Sequence, residues 1–206
     1  MFSQKKFVLD SNYLKYSILN TSSNQNKMKP KHQLQFKIVH VGDFNSGKTS
    51  FFQAYTQVMS ENTFLKTLQK GKYEIELKMW DTLGKEEYTL ICGFYYQYSN
   101  AELFMIDLSN ENSLEDIDEW FNLTHHCHPR DISKKPIQYL IGTKCDLEQK
   151  IDDKMIENIC LKNNVKYFKT SSLKNIGIEE CMNELVDDIM KKFGKNGGFV
   201  YVRILC

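Results

Sequence analysis

Phe36-Lys37-Ile38-Val39-His40-Val41 runs directly into Gly42-Asp43-Phe44-Asn45-Ser46-Gly47-Lys48-Thr49. The first six residues read as a strand, the next eight match G-x-x-x-x-G-K-[ST], and a helix-period stretch from Ser50 to Val58 follows. Strand, loop and helix in that order are the setting in which this match means a phosphate-binding loop. Consecutive N–H groups opening a helix offer hydrogen-bond donors and a favourable dipole to phosphate oxygens. Gly47 lets the backbone come close to those oxygens without a Cβ in the way. Lys48 adds a point charge at the β- and γ-phosphates, and the Thr49 hydroxyl suits Mg2+, a hard cation that prefers oxygen ligands. Asn45, Ser46, Gly47, Lys48, Thr49 and Ser50 are therefore the candidate phosphate contacts.

Outward from this loop, apolar strand-like runs alternate with helix-period stretches, which predicts an α/β fold with helices on both faces of a mostly parallel sheet. Strands are expected near 35–41, 73–80, 101–107, 137–142 and 165–169, and helices near 48–58, 112–124, 152–163 and 176–193. A less regular stretch at 86–99 carries a further short helix in this reading. Lys70-Gly71-Lys72 reads as a hairpin turn, which makes Phe64 to Gln69 an antiparallel edge strand and brings the sheet to six strands. Residues 1–34 contain the polar, aperiodic run Asn20 to Lys27 and are expected to be a flexible extension, followed by a domain over 35–193 and a tail over 194–206.

The composition excludes several classes. Of 206 residues, 41% are hydrophobic, enough for one domain with a real core. The 27 basic and 26 acidic residues leave a formal charge of +1, so a nucleic-acid partner is not expected. The six cysteines show no C-x-x-C pairing and no leader precedes them, which fits a reducing, cytoplasmic setting. His125-His126-Cys127-His128 resembles a metal tract, but neighbouring side chains on one segment cannot all converge on one ion, and a polar helix end running into Pro129 is the simpler reading. No window is apolar enough to span a bilayer, so any membrane association is expected to be peripheral.

Three further motifs follow predicted strands, at the carboxyl ends where open α/β sheets bind ligands. In Trp80-Asp81-Thr82-Leu83-Gly84, Asp81 is a second magnesium contact, and the Gly84 N–H can reach a terminal phosphate. In Thr143-Lys144-Cys145-Asp146, the Asp146 carboxylate can accept from both N1–H and the exocyclic amine of guanine, a donor pair that adenine lacks. Thr143 and Lys144 belong to the same base site, the lysine stem lying along the base plane. After the last strand, Lys169-Thr170-Ser171-Ser172-Leu173 can offer N–H groups of Ser171, Ser172 and Leu173 to the guanine carbonyl; taken by itself, the serine pair reads more often as a helix N-cap. The cofactors these motifs call for are GTP or GDP with Mg2+.

Taken in order, Gly42…Lys48-Thr49, Trp80-Asp81-Thr82-x-Gly84, Thr143-Lys144-x-Asp146 and Thr170-Ser171-Ser172 resemble the Ras-like small GTPases over about residues 35–193. Phe94-Tyr95-Tyr96, Trp120 and the short gap between Asp146 and Ser171 are most similar to the Rab branch. The resemblance implies a P-loop NTPase fold and a guanine-nucleotide switch in vesicle and membrane traffic, cytoplasmic or peripheral on endomembranes. It also implies an exchange factor, an activating protein and effector proteins as partners.

Several positions depart from the family. Lys85 stands where the family usually has a glutamine that orients the attacking water, and a charged lysine cannot accept a hydrogen bond from that water. Lys48 and Lys85 are thus the candidate catalytic positions, and slow hydrolysis is expected. The alternative is a hydrolysis-deficient, GTP-bound scaffold or binding module; a P-loop kinase or ATPase is disfavoured by Asp146. Phe44 and Asn45 occupy loop positions where the family prefers small residues, although asparagine tolerates positive φ. Only 32 positions separate Thr49 from Asp81, so the first switch is short. Thr67 and Thr63 both stand as its magnesium-contacting threonine: counting from Thr49 favours Thr67, counting back from Gly71 puts it inside the strand. The chain ends in a lone Cys206 after an apolar run, without paired cysteines or C-a-a-X, so standard lipidation is not expected.

Overall fold

The computed structural model describes residues 32–59, 63–82, 84, 95–128 and 135–194. The expected extension through residue 31, Lys85, most of the 86–99 stretch and the tail from 195 lie outside the described residues.

β1 (His32–Val41) occupies the middle of a six-stranded sheet of order β2-β3-β1-β4-β5-β6, with β2 (Thr63–Lys70), β3 (Tyr73–Trp80), β4 (Ala101–Asp107), β5 (Ile137–Thr143) and β6 (Lys166–Lys169). Only the β2–β3 pair is antiparallel, joined at Gly71, whose φ of 59° fits the tight turn. β1 starts three residues before the expected Gln35, because His32 to Leu34 pair with Tyr73 to Ile75 and Gln33 donates to Glu74 at 2.9 Å.

The period-two pleat divides the core into two layers. Phe36 and Ile38 of β1 and Leu103 and Met105 of β4 face α1 (Lys48–Thr56) and α4 (Ile178–Phe193). Val39, Val41, Phe104 and Ile106 face α2 (Ile117–Cys127) and α3 (Asp153–Asn163), where Phe104 stacks on Phe121 at 3.8 Å. His40 falls on the first of these faces, at a position the pleat reserves for the core.

The helix expected over 112–124 is divided. Asn110 caps a 3-10 turn, Glu111–Leu114, by accepting from the Asn112 N–H, and α2 begins only at Ile117. α2 then runs on through His125, His126 and Cys127, ending at an extended His128, the conformation favoured before Pro129. The His128 ring lies 2.6 Å from the buried Glu102 carboxylate rather than beside its histidine neighbours. α4 starts two residues later than expected, since Gly177 takes a φ of 69° and packs against the Lys169 carbonyl with no room for a side chain.

Leu103, in the fully buried central strand, and Leu161, exposed on α3, give a direct test of this layering. Leu103→Ala is expected to cost about 2–5 kcal/mol and Leu161→Ala less than about 0.5 kcal/mol, read from urea unfolding midpoints at constant slope.

Candidate functional site

The loop after β1 turns through three left-handed residues, Gly42, Asn45 and Gly47, with φ of 134°, 63° and 91°. A Cβ at Gly42 would lie 2.5 Å from the Met105 carbonyl, and one at Gly47 would press on the Thr143 side chain at 3.3 Å. Gly42 is therefore required by sterics as well as by φ, and Gly47 by its left-handed φ. Gly47 has no side chain to cap α1 and no acid sits in its first turn, so the positive end of the helix is left for an external anion. Ser46 is buried within the loop, whereas Asn45 and Ser50 are exposed.

The Lys48 ammonium curls back into this ring, donating to the carbonyls of Gly42 at 2.9 Å and Asp43 at 2.5 Å. Burial pushes it down to about 8, against the opposing pull of Asp81 and Asp43. A largely buried cation that is hydrogen-bonded only to neutral oxygens is a strong binding element for an anion. Gly84 lies against the same ammonium: a Cβ there would come within 2.5 Å of Lys48 Nζ and 2.8 Å of the Gly42 carbonyl oxygen. Its φ of 72° and this crowding both demand glycine.

Thr49 and Asp81 meet directly, the threonine hydroxyl donating to Asp81 Oδ2. The other carboxylate oxygen, Oδ1, is buried without a hydrogen-bond partner among the described residues and faces His40 Nδ1 at 3.6 Å. Burial pushes the Asp81 carboxyl up, but His40, the Thr49 hydroxyl and the Lys48 charge together outweigh it and hold the group below its ordinary value. The carboxylate and hydroxyl that meet here are both oxygen ligands and suit a hard divalent cation, while the nearby Lys48 ammonium suits the phosphate oxygens.

The base side is tied to this loop by Thr143. Its buried hydroxyl lies 2.8 Å from the Ser46 carbonyl and 3.0 Å from that of Ile106. Lys144 follows in a left-handed conformation, φ 56°, and its ammonium reaches Asp107 Oδ2 at 2.6 Å. Burial raises Asp107, but Lys144 and the Ser109 N–H and hydroxyl prevail and keep it low. The 143–146 and 170–173 segments are laced together by Cys145 N–H to the Thr170 carbonyl at 3.1 Å and Thr170 N–H to the Gly142 carbonyl at 2.7 Å. Ser171 Oγ accepts from the Lys174 N–H, so the serine closes its own turn. Asp146 and Ser172 are half-buried, and the Leu173 side chain is exposed.

Two threonines were expected to compete at the first switch, and the sheet separates them. Thr63 pairs with Trp80, the residue before Asp81, whereas Thr67 pairs with Glu76 in mid-strand. β2 runs antiparallel, so each residue counted forward from Thr63 moves away from the loop, and Thr67 ends about 13 Å down the strand. Lys85 lies outside the described residues.

Sequence reading missed three participants. Asp107 ends β4 and holds Lys144. Trp120, taken only as a branch marker, donates its indole N–H to Asp43 Oδ1 at 2.7 Å and so ties α2 to the loop. His40 stands in the sequence only as one residue of the β1 run. A histidine on the core side of the pleat, one residue before the loop glycine, was the available signal.

Compared with known proteins, the sequence matches the Ras family over residues 37–191. The chain belongs to the Ras family. Among its relatives is Ras-related protein Rab-10 of Diplobatis ommata, 30% identical over 80% of this chain and 86% of the relative. Ras-related protein RabH of Dictyostelium discoideum is 29% identical over 79% and 85%, and Ras-related protein Rab-13 of Bos taurus is 26% identical over 77% and 82%. Within the Ras family this chain is most similar to Rab proteins, and the mixed sheet with its one antiparallel edge is the P-loop GTPase fold.

Burial holds the His40 imidazole down to about 4, against the raising influence of Asp81 and with the Lys48 ammonium adding to the lowering. A folded-state value below the ordinary 6.5 means that the neutral ring's contribution is whole above pH 6.5 and is lost as pH falls toward 4. Nucleotide-free protein is expected to lose about 2 kcal/mol from this group between pH 7 and pH 5. Urea unfolding at the two pH values should show that component in wild type and not in His40→Leu.

Proposed function

We propose that this Ras-family chain is a switch that binds GTP and GDP with Mg2+, hydrolyses GTP slowly, and acts in vesicle and membrane traffic through an exchange factor, an activating protein and effectors. The observation that carries the reading is the convergence of Lys48, Thr49, Asp81 and Gly84 on one loop, which the Thr143 hydroxyl joins to the segment bearing Lys144 and Asp146. Lys48 and the N–H groups from Asn45 to Ser50 bind the phosphates. Thr49 and Asp81 hold Mg2+, with Thr63 the better placed of the two switch threonines. Bound Mg2+ neutralises charge on the phosphates. Asp146 reads guanine, and Ser171, Ser172 and Leu173 supply backbone donors to the base.

Slow turnover follows from two residues. Lys85, directly after Gly84, cannot accept a hydrogen bond from the attacking water while charged. Phe44 projects from the loop with 72% of its surface exposed, where it crowds an arginine offered by an activating protein. Phe44 also favours the second reading, a GTP-bound scaffold that has given up turnover. No helix among the described residues is long and apolar enough to cross a membrane, so the membrane association proposed is peripheral.

Single-turnover phosphate release separates the two readings. A slow switch is expected to hydrolyse GTP below roughly 10⁻⁴ per second and to gain roughly tenfold in Lys85→Gln, whereas a scaffold stays inert in both. Asp146→Asn is expected to lose roughly 100-fold or more in guanosine affinity, measured by calorimetry with Mg2+ present. An unchanged preference for GDP over ADP in that variant would remove Asp146 from the base site.

A further inference from the structure

Residues 36, 38 and 40 of β1 point to the same layer, and two of the three are the expected Phe36 and Ile38. The third is His40, fully buried, with neither ring nitrogen hydrogen-bonded to any described residue. A buried donor without an acceptor costs stability that leucine at the same place would not, so the imidazole calls for an explanation outside packing. Its surroundings supply one. The ring is stacked on Phe52 at 3.3 Å and 15° and meets the Phe51 ring edge-on at 5.7 Å, both from α1, so it cannot swing into the core. Facing Nδ1 at 3.6 Å is Asp81 Oδ1, itself buried and unpartnered, while Oδ2 already accepts from Thr49. Two orphaned atoms, one able to donate and one able to accept, stand a few tenths of an ångström beyond hydrogen-bond distance.

We propose that His40 is a positioning residue for magnesium: its neutral Nδ1–H holds Asp81 so that this carboxylate and the Thr49 hydroxyl present their oxygens together. Resting on the nucleotide reading above, this makes the Mg2+ affinity of the loaded protein depend on a side chain that touches neither metal nor nucleotide. Partners that orient a liganding carboxylate typically change metal affinity 10- to 100-fold when removed.

The test uses the full chain loaded with a fluorescent GDP, following nucleotide release while free Mg2+ is set with EDTA. His40→Leu, which keeps volume and removes the donor, is expected to raise the Mg2+ midpoint about tenfold, with release in excess EDTA unchanged within about twofold. His40→Asn, whose amide sits where Nδ1 did, is expected to recover most of the shift. Nitrogen-15 spectra of nucleotide-free wild type are expected to show the His40 ring as the neutral Nδ1–H tautomer, and its melting temperature is expected to be no higher than that of His40→Leu. An unmoved midpoint in His40→Leu, an equal acceleration in EDTA, no recovery in His40→Asn, or the Nε2–H tautomer each overturns the proposal. Wild-type protein that takes up no GDP with magnesium present overturns the nucleotide reading and this proposal together, whereas normal uptake with an unmoved midpoint overturns the role of His40 alone.

Discussion

The Thr143 hydroxyl, buried between the phosphate loop and the end of β5, joins two halves of a site that the chain builds from segments almost a hundred residues apart. Its contacts with the Ser46 and Ile106 carbonyls span the loop and β4 at once, and Gly47 is close enough to touch the same side chain. Any ligand that spans polyphosphate and base needs these halves at a constant separation. Here that separation is set by one oxygen and the backbone of three strands.

Around this tie the charges are arranged for something the protein does not itself provide. Lys48 is desolvated among carbonyls, the positive end of α1 is uncapped, and Asp81 keeps one oxygen without a donor. Each of these costs stability in isolation; an anion relieves the first two, and the unpartnered Asp81 oxygen, without a donor among the described residues, faces His40. Binding strength at such a site comes from unmet polar groups held rigidly, with Gly42, Gly47 and Gly84 giving the backbone its close approaches.

Much of the fold was legible because strand, loop and helix signals are local. The alternation placed β4 at Ala101–Asp107 to the residue, and Gly71 marked the hairpin. The split of the helix after β4 was not legible, since a polar side chain, Asn110, and not the apolar period, decides where the first turn closes. The early start of β1 was hidden in the same way, since its first two residues, His32 and Gln33, are polar and exposed and are recruited by pairing with β3. At the site, the motif residues were legible as types in a spacing. Their partners were not: Asp107 and Trp120 act across 37 and 77 positions, distances over which only the folded sheet sets proximity.

The indole of Trp120 has an optical consequence. The chain has two tryptophans, and this one is hydrogen-bonded to a carboxylate inside the phosphate loop. Its emission is therefore sensitive to the electric field of the loop, and filling or emptying that cradle is expected to change the colour and yield of the protein's own fluorescence.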